Sequence, residues 1–143
     1  MGKTTKKDLK DLTLLGFANK GKKAKASKKL ETFPSKNDGR NYVVELETTE
    51  FTCLCPMTGQ PDFAKIRISY IPREKIVESK SLKLYLWSFR EQGCFHEHLT
   101  NMILDDLVEA LDPIWCQVEG FFNARGGIAI KVTAQHGTRT LEK

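Results

Sequence analysis

The fold is decided by two alternating runs, NYVVELETTEFTCL (residues 41–54) and FAKIRISYI (residues 63–71). Apolar and polar residues alternate along both, which is the period of a half-buried β-strand. Between the runs lies CPMTGQPD (residues 55–62), a segment rich in proline and glycine that favours a tight turn. We therefore predict two antiparallel strands joined by this loop.

Two helical patterns and two further strands follow. Apolar residues recur at helical spacing in ESKSLKLYLWSFREQG (residues 78–93), which Gly93 should end, and from His96 to Leu111. WCQVEGFF (residues 115–122) and GGIAIKVTA (residues 126–134) are typical of strands. This order predicts an α+β domain with a four-stranded antiparallel sheet and two helices on one face. Such a sheet has unpaired edges, which favour association with further copies.

The positive charge lies almost entirely in a lysine-rich leader. Residues 1–40 contain 12 lysines and arginines against 4 acidic residues, whereas residues 41–143 contain 11 against 14. We predict a solvated, flexible leader over residues 1–36 and a single catalytic domain over residues 37–143. The leader could contact nucleic acid through phosphates, but the globular part has no nucleic-acid face, so we do not expect nucleic acid as a partner.

Compartment and membrane association are predicted from simple patterns. No apolar run reaches the length of a membrane span, and the N-terminus lacks the apolar block of a signal peptide. A cytoplasmic protein is the default expectation, and there the four cysteines (Cys53, Cys55, Cys94 and Cys116) should be reduced thiols.

Cys53 and Cys55, one residue apart, allow four interpretations. With His96 and His98 they offer zinc ligands, but the spacing does not match that of common structural sites. A disulfide between them would be strained, and buried thiols also serve as small hydrophobic side chains. Alternatively Cys55, at the strand end, is a nucleophile that exchanges its proton with Asp62. The residues alone leave these alternatives open.

Two later segments carry further candidate binding groups. Glu97 in the first helical turn is favoured by the helix dipole, but a carboxylate there can also accept two parallel N–H bonds from a purine-like ring, with His96 as a proton relay. Lys80 and Lys83 lie near a helix N-terminus, which favours phosphate binding, although a solvated helix face explains them equally well.

Three motifs together resemble the short, single-module NADPH-dependent 7-cyano-7-deazaguanine reductases, which are related to GTP cyclohydrolase I. They are TCLCPMTGQPDF, VESKSLKLYLWSF and FHEHLTNMILDDL, and the resemblance extends from about Phe33 to Gly137. It implies a tunnelling fold that closes into a barrel by oligomerisation, commonly as two stacked pentamers with active sites between subunits. It also implies reduction of a nitrile to a primary amine with two NADPH, in the pathway to the tRNA base queuosine.

The resemblance also implies roles for individual residues. Cys55 corresponds to the nucleophile that forms a covalent thioimide with 7-cyano-7-deazaguanine, and Asp62 to the proton donor. The predicted substrate-binding residues are Val77, Glu78, Ser79, His96 and Glu97. The predicted NADPH-binding residues are Lys80, Lys83 and Arg125. No metal is expected; the alternative function is a zinc-dependent, GTP cyclohydrolase-like enzyme of the same fold.

Overall fold

The computed structural model of the protein describes residues 2, 4–10, 12 and 25–139. In chain order, its elements are α1 (Lys6–Leu9), β1 (Thr32–Pro34), β2 (Val44–Leu54), β3 (Pro61–Ile71), β4 (Lys75–Val77), α2 (Ser79–Trp87), α3 (His96–Leu111), β5 (Trp115–Arg125) and β6 (Ile128–Gly137). Within these described ranges, no helix is long and apolar enough to cross a membrane.

The four long strands form one antiparallel sheet in the order β2-β3-β5-β6. The short strands β1 and β4 pair with each other in a second, two-stranded sheet. The predicted α+β fold, with four antiparallel strands and two helices between the second and third, is confirmed. Strands β2 and β6 lie at the two edges of the main sheet.

Helices α2 and α3 cover one face of the sheet, as predicted. Alternation along β3 points Ala64, Ile66, Ile68 and Tyr70 into the core, where all four are buried. They pack with apolar residues of both helices, including Leu82, Tyr85, Leu99, Ile103 and Leu107. Burial of each such side chain stabilises the fold by about 1.5–3 kcal/mol. The helices are therefore held by a continuous core, with the loop that follows β2 at one end of it.

A β-bulge interrupts the pairing of β2 with β3. Thr48 lies opposite Ile66 and Phe51 opposite Ala64, so β2 has one residue more than β3 in this interval. Before the bulge the even-numbered Leu46 faces the core. After it the odd-numbered Phe51 and Cys53 face the core, because the extra residue shifts the alternation by one position. Bulges re-aim side chains in this way, often beside active sites.

Helix α2 is shorter than its sequence pattern. It ends at Trp87, although the pattern extends to Gly93. The segment after the helix instead binds the end of β2, because Leu54 N donates to Gln92 O at 3.0 Å and Cys94 N donates to Leu54 O at 3.1 Å. Immediately after α2, residues 88–92 form turns with local bonds such as Arg90 N to Trp87 O at 3.1 Å, and the bonds to Leu54 fix the entry to α3 beside the β2–β3 loop.

Residues 25–36, which the sequence assigns to the leader, contact the folded domain. Ser27 N donates to Leu84 O at 3.2 Å, and Lys28 Nζ lies 3.1 Å from the ring centroid of Phe89. Glu31 O accepts from Glu78 N at 2.8 Å. We call residues 27–34 the strap, because they run from α2 to the β1–β4 pair.

Candidate active site

The loop after β2 surrounds the Cys55 sulfur with hydrogen-bond donors. Gly59 N donates to Cys55 O at 2.9 Å, and Gly59 has a φ of 71°, a left-handed conformation that glycine adopts without strain. The loop closes because Cys55 N donates to Gln60 O at 2.8 Å. This folding turns the hydroxyl and N–H of Thr58 and the N–H of Met57 toward the half-buried thiol. Successive N–H groups of this kind form an anion-binding nest.

The nest changes the acidity of Cys55 alone among the four cysteines. Hydrogen bonds, first from the Thr58 side chain, then from the two loop N–H groups and from Arg125, lower the pKa of Cys55 to about 7. Burial raises the pKa of Cys53 to about 12, with the Asp62 carboxylate adding to the effect, and burial raises the pKa of Cys116 to about 12. Burial also raises the pKa of Cys94. Because the thiolate is the reactive form of cysteine, Cys55 has the acidity that best suits a nucleophile among the four.

Asp62 is buried near this thiol and lies between the imidazole of His96 and the guanidinium of Arg125. It lies opposite Cys53 in the sheet and is 4% exposed. Its Oδ2 lies 3.1 Å from His96 Nε2, and its Oδ1 lies 2.7 Å from Arg125 Nη1. Thr52 Oγ1 donates to the Asp62 carbonyl at 2.8 Å. A buried carboxylate in contact with an imidazole can accept or deliver a proton at a fixed position.

His96 is fixed by its position at the start of α3 and by the ring of Phe122. The two rings are stacked with centroids 3.8 Å apart and planes inclined by 7°. Thr100 Oγ1 donates to His96 O at 2.9 Å. Gly120 leaves room for this arrangement, because a Cβ there would lie 2.6 Å from the Phe122 ring and 2.9 Å from Thr100 Oγ1. The imidazole is therefore oriented toward Asp62 by packing from β5.

The predicted substrate residues fall into two separate places. His96 lies in the Cys55 cluster, and Glu97 is exposed beside it. Val77 and Glu78 lie at the start of α2, where Val77 N donates to the Tyr70 hydroxyl at 3.0 Å. Glu78 is buried and caps α2: its Oε1 accepts from Lys80 N at 2.8 Å and its Oε2 from Ser81 N at 2.7 Å. Its carboxylate is thus engaged by the helix it precedes.

The two places are far apart within one chain. Tyr70, which contacts Val77, and Asp62 are both on β3 and eight residues apart. At about 3.3 Å per residue, their backbones are separated by about 26 Å. A single purine-sized base cannot span that distance.

The predicted cofactor residues are also divided. A groove of about 700 Å³ between α2 and β2 is lined by Lys80 and Lys83, by Ser79, which was predicted to bind substrate, and by apolar side chains such as Leu46 and Trp87. Arg125 is absent from this groove and lies in the Cys55 cluster. The groove has an apolar floor with cations at one end, which is suitable for a ligand that carries both rings and phosphates.

Three residues of the site were not predicted from the sequence. Thr58 and Gln60 belong to the quoted loop, where the only signal was the proline-glycine pattern of a turn. Phe122 belongs to a strand pattern, in which a ring beside the site cannot be distinguished from a ring in the hydrophobic core. Among the described residues, no group of three or more His, Cys, Asp or Glu side chains is arranged to hold a metal ion.

Comparison with known proteins gives a consistent result. The family model described as QueF-like protein matches residues 61–141. A Syntrophus aciditrophicus (strain SB) protein is 59% identical over 133 residues, which cover 93% of this chain and 91% of the relative. An Anaeromyxobacter dehalogenans (strain 2CP-C) protein is 60% identical over 113 residues, covering 79% of this chain and 93% of the relative. Both are named NADPH-dependent 7-cyano-7-deazaguanine reductase.

A solved structure supports the fold. The archaeosine synthase QueF-Like in its apo form has a TM-score of 0.64 and 24% identity, over 68% of this chain and 96% of that one. At this identity the likeness concerns the fold alone, and it agrees with the predicted tunnelling fold.

Proposed function

The chain belongs to the QueF-like protein family, and from that premise we propose that it reduces the nitrile of 7-cyano-7-deazaguanine to the primary amine with NADPH, in queuosine biosynthesis. One observation carries the proposal. Among four cysteines, only Cys55 has a lowered pKa, and it lies in a loop that ends at the buried carboxylate of Asp62. A thiolate beside a proton-carrying group is what addition to a nitrile requires.

The first step follows from this geometry. The Cys55 thiolate forms an S–C bond to the nitrile carbon while one C–N π bond breaks, and the nitrogen takes a proton. The pair of Asp62 and His96 carries one shared proton across its 3.1 Å contact and delivers that proton, which leaves Asp62 as a carboxylate beside Arg125. The product is a neutral thioimide, whose polarised C=N bond accepts hydride more readily than a nitrile does. Both carboxylate and imidazole are buried enough to limit hydrolysis of this intermediate.

NADPH would supply the two hydrides that complete the reduction of this carbon to the amine. The groove between α2 and β2 fits such a molecule, because Lys80 and Lys83 lie at the N-terminal half of α2, where phosphates are favoured. We therefore keep Lys80 and Lys83 as proposed phosphate-binding residues, with Ser79 beside them. The absence of a Rossmann fingerprint is no obstacle, since this groove does not depend on one.

The substrate site is proposed to form between two copies of the chain. Val77–Ser79 and the Cys55 cluster lie about 26 Å apart along the strand, so one base could contact both sets only if a second copy supplied one of them. Glu97, exposed next to His96, would then accept the paired N–H groups of the deazaguanine ring. The edge strands β2 and β6 would provide the pairing surfaces for the homo-oligomer.

Exposed apolar side chains around the cluster support this interface. Met57 is 82% exposed, Phe63 55%, Phe95 53% and Ile128 69%. Each is within three residues of Cys55, Asp62, His96 or Arg125. Exposed apolar side chains that follow or precede site residues in the chain are consistent with a protein interface beside the site. A nucleophilic thiol must stay reduced, which agrees with the proposed cytoplasmic location.

Intact-mass spectrometry tests the proposal directly. The protein is incubated with 7-cyano-7-deazaguanine without NADPH, and a mass gain equal to the whole substrate is expected. The gain should disappear in Cys55→Ala and remain in Cys53→Ala, a matched variant that removes a thiol two residues away. No adduct in the wild-type protein, with the substrate shown to be intact, would refute covalent catalysis by Cys55.

The interfacial site needs a separate experiment. Equal amounts of two inactive variants, Cys55→Ala and Ser79→Tyr, are mixed under conditions that exchange subunits. If sites are shared between copies, some mixed sites regain both intact halves and activity returns. No recovery after exchange, demonstrated by native mass spectrometry, would contradict a shared site.

A further inference from the structure

Arg125 lies at the centre of the Cys55 cluster because of a second β-bulge. Phe122 pairs with Ile130 and Arg125 with Ile128, so one extra residue is inserted in β5 between these positions. Phe122 points toward the helices, and the extra residue turns Arg125 toward the same side. The turn that follows, Gly126-Gly127, has φ values of 57° and 79°, which two glycines adopt without strain.

The guanidinium of Arg125 contacts two groups of the site and interacts electrostatically with the Cys55 thiol. Its Nη1 lies 2.7 Å from Asp62 Oδ1, and its Nη2 donates to Gln60 Oε1 at 3.1 Å. Gln60 in turn closes the loop of Cys55 through its carbonyl. Interaction with Arg125 also lowers the pKa of Cys55, as the smallest of the contributions, and the Cys55 thiol and the Asp62 carboxylate raise the pKa of the guanidinium above its ordinary value.

We propose that Arg125 is a catalytic cation that holds the Cys55 thiolate and the Asp62 carboxylate side by side, in place of the cofactor-phosphate role predicted from the sequence. The inference extends the proposed function, but the contact between guanidinium and thiol does not depend on the identity of the substrate.

The charges of the cluster explain why such a cation is needed. The thiolate of Cys55 and the carboxylate of Asp62 are two anions in one small space, and their mutual repulsion would favour the neutral thiol. Arginine remains charged at every working pH, and its planar fork can donate to both anions at once. The other groups that face the sulfur are the loop donors at Met57 and Thr58, which carry no net charge.

The remaining titratable groups of the cluster are His96 of α3, which contacts the far oxygen of Asp62, and Cys53 of β2, whose pKa is raised by burial. Neither replaces the guanidinium at the sulfur. When the S–C bond forms, the negative charge leaves the sulfur and the nitrogen is protonated. Arg125 then retains Asp62 as its partner, so the site does not acquire an unpaired buried charge during the step.

Alkylation of Cys55 by iodoacetamide, without substrate or cofactor, measures this contact. The rate is followed from pH 5.5 to 9, and intact and peptide mass spectrometry assign the label to Cys55. In the wild-type protein we expect the rate to rise with pH through a midpoint of about 7. In Arg125→Met the midpoint should move upward by about half a pH unit, which lowers the rate at pH 7 about twofold.

Two further variants make the result specific. Arg73→Met removes an exposed arginine that pairs with Asp112, and its midpoint should equal that of the wild-type protein. Arg125→Lys keeps the charge without the fork, so its midpoint should fall between those of wild type and Arg125→Met. If Arg125→Met does not fold by circular dichroism, the shift in Arg125→Lys decides.

Steady-state kinetics separate the two roles of Arg125. A catalytic cation predicts a loss of kcat in Arg125→Met with KM for NADPH changed by less than about twofold. An unchanged alkylation profile with a large rise in KM for NADPH would overturn the proposal in favour of phosphate binding. If no substrate adduct forms but the alkylation midpoint still shifts in Arg125→Met, the proposed reaction is refuted while the role of Arg125 at the thiol stands.

Discussion

Glu78 offers a test of whether its carboxylate serves the fold or the substrate. It is 6% exposed, and each of its oxygens accepts one backbone N–H at the start of α2, from Lys80 and Ser81. In Glu78→Gln one oxygen becomes an amide nitrogen, which cannot accept. One hydrogen bond is therefore lost, and one backbone N–H near the helix start loses its partner.

The size of the effect follows from these two bonds. Hydrogen bonds to a charged group contribute about 1.5–3 kcal/mol each, so we expect the free energy of unfolding to fall by about 2 kcal/mol. For a chain of this length that corresponds to a decrease in Tm of roughly 4–8 °C. Thermal unfolding is followed by circular dichroism at one fixed protein concentration, because oligomer dissociation makes Tm concentration-dependent.

Glu91→Gln is the matched control. It makes the same chemical change at an exposed glutamate in the turn after α2, and its Tm should stay within roughly 1 °C of wild type. A Tm for Glu78→Gln that is equally unchanged, together with a higher KM for 7-cyano-7-deazaguanine, would refute the cap and assign the carboxylate to the substrate.

Three further predictions concern the site and the core. Thr58→Val removes the largest contribution to the lowered pKa of Cys55. The thiolate fraction then falls, so alkylation of Cys55 at pH 6.5 should slow severalfold. An unchanged rate would contradict the nest. Gly120→Ala inserts a Cβ 2.6 Å from the Phe122 ring, which stacks on His96. We expect the free energy of unfolding in urea to fall by about 1–3 kcal/mol and kcat to fall as well. Full activity would show that the ring can move without consequence. Tyr85→Phe removes a buried hydroxyl that donates to Asp106, so unfolding in urea should require about 1–3 kcal/mol less, and no change would mean that water replaces the bond.

Most of the fold was predictable because its periodicities are long and clear. The two alternating runs and the stripe from His96 to Leu111 gave strands and a helix in the correct order, and α3 has the predicted bounds. Its end at Asp112, which adopts a left-handed φ of 44° before Pro113, also follows from the sequence. These features depend on local patterns that each segment carries by itself.

The remaining features depend on contacts between distant segments. The bulge in β2 is visible in retrospect as a change of phase, since apolar residues fall at Val44 and Leu46 and then at Phe51 and Cys53. The pairing of β1 with β4 involves three residues on each side, which is too short for a periodic signal. The segment after α2 forms turns and then pairs with Leu54 of β2, a partner that the helical pattern does not reveal.

The same distinction applies to the candidate site. Cys55 and Asp62 were predicted together because one loop carries both. Arg125 follows a bulge in another strand, so its chemical type was visible in the sequence but its partners were not. A guanidinium can bind phosphate, carboxylate or thiolate, and only the strand register decides which of them it meets.

The strap alters what counts as the edge of the domain. Composition sets the border of the leader at residue 36, whereas the hydrogen bonds of Ser27 and Glu31 belong to the packing of α2. Shortened forms of the protein therefore divide into two kinds. Cuts upstream of residue 25 keep the hydrogen bonds of Ser27 and Glu31 with α2, but they remove α1 and the ion pair of Asp8 with Lys36 as well as the lysines. Cuts inside the strap also expose Glu78 N and the buried hydroxyl of Ser81, which binds Glu31 N. A loss of activity after trimming can be attributed to the charge of the lysines only if replacing them within the full chain gives the same loss.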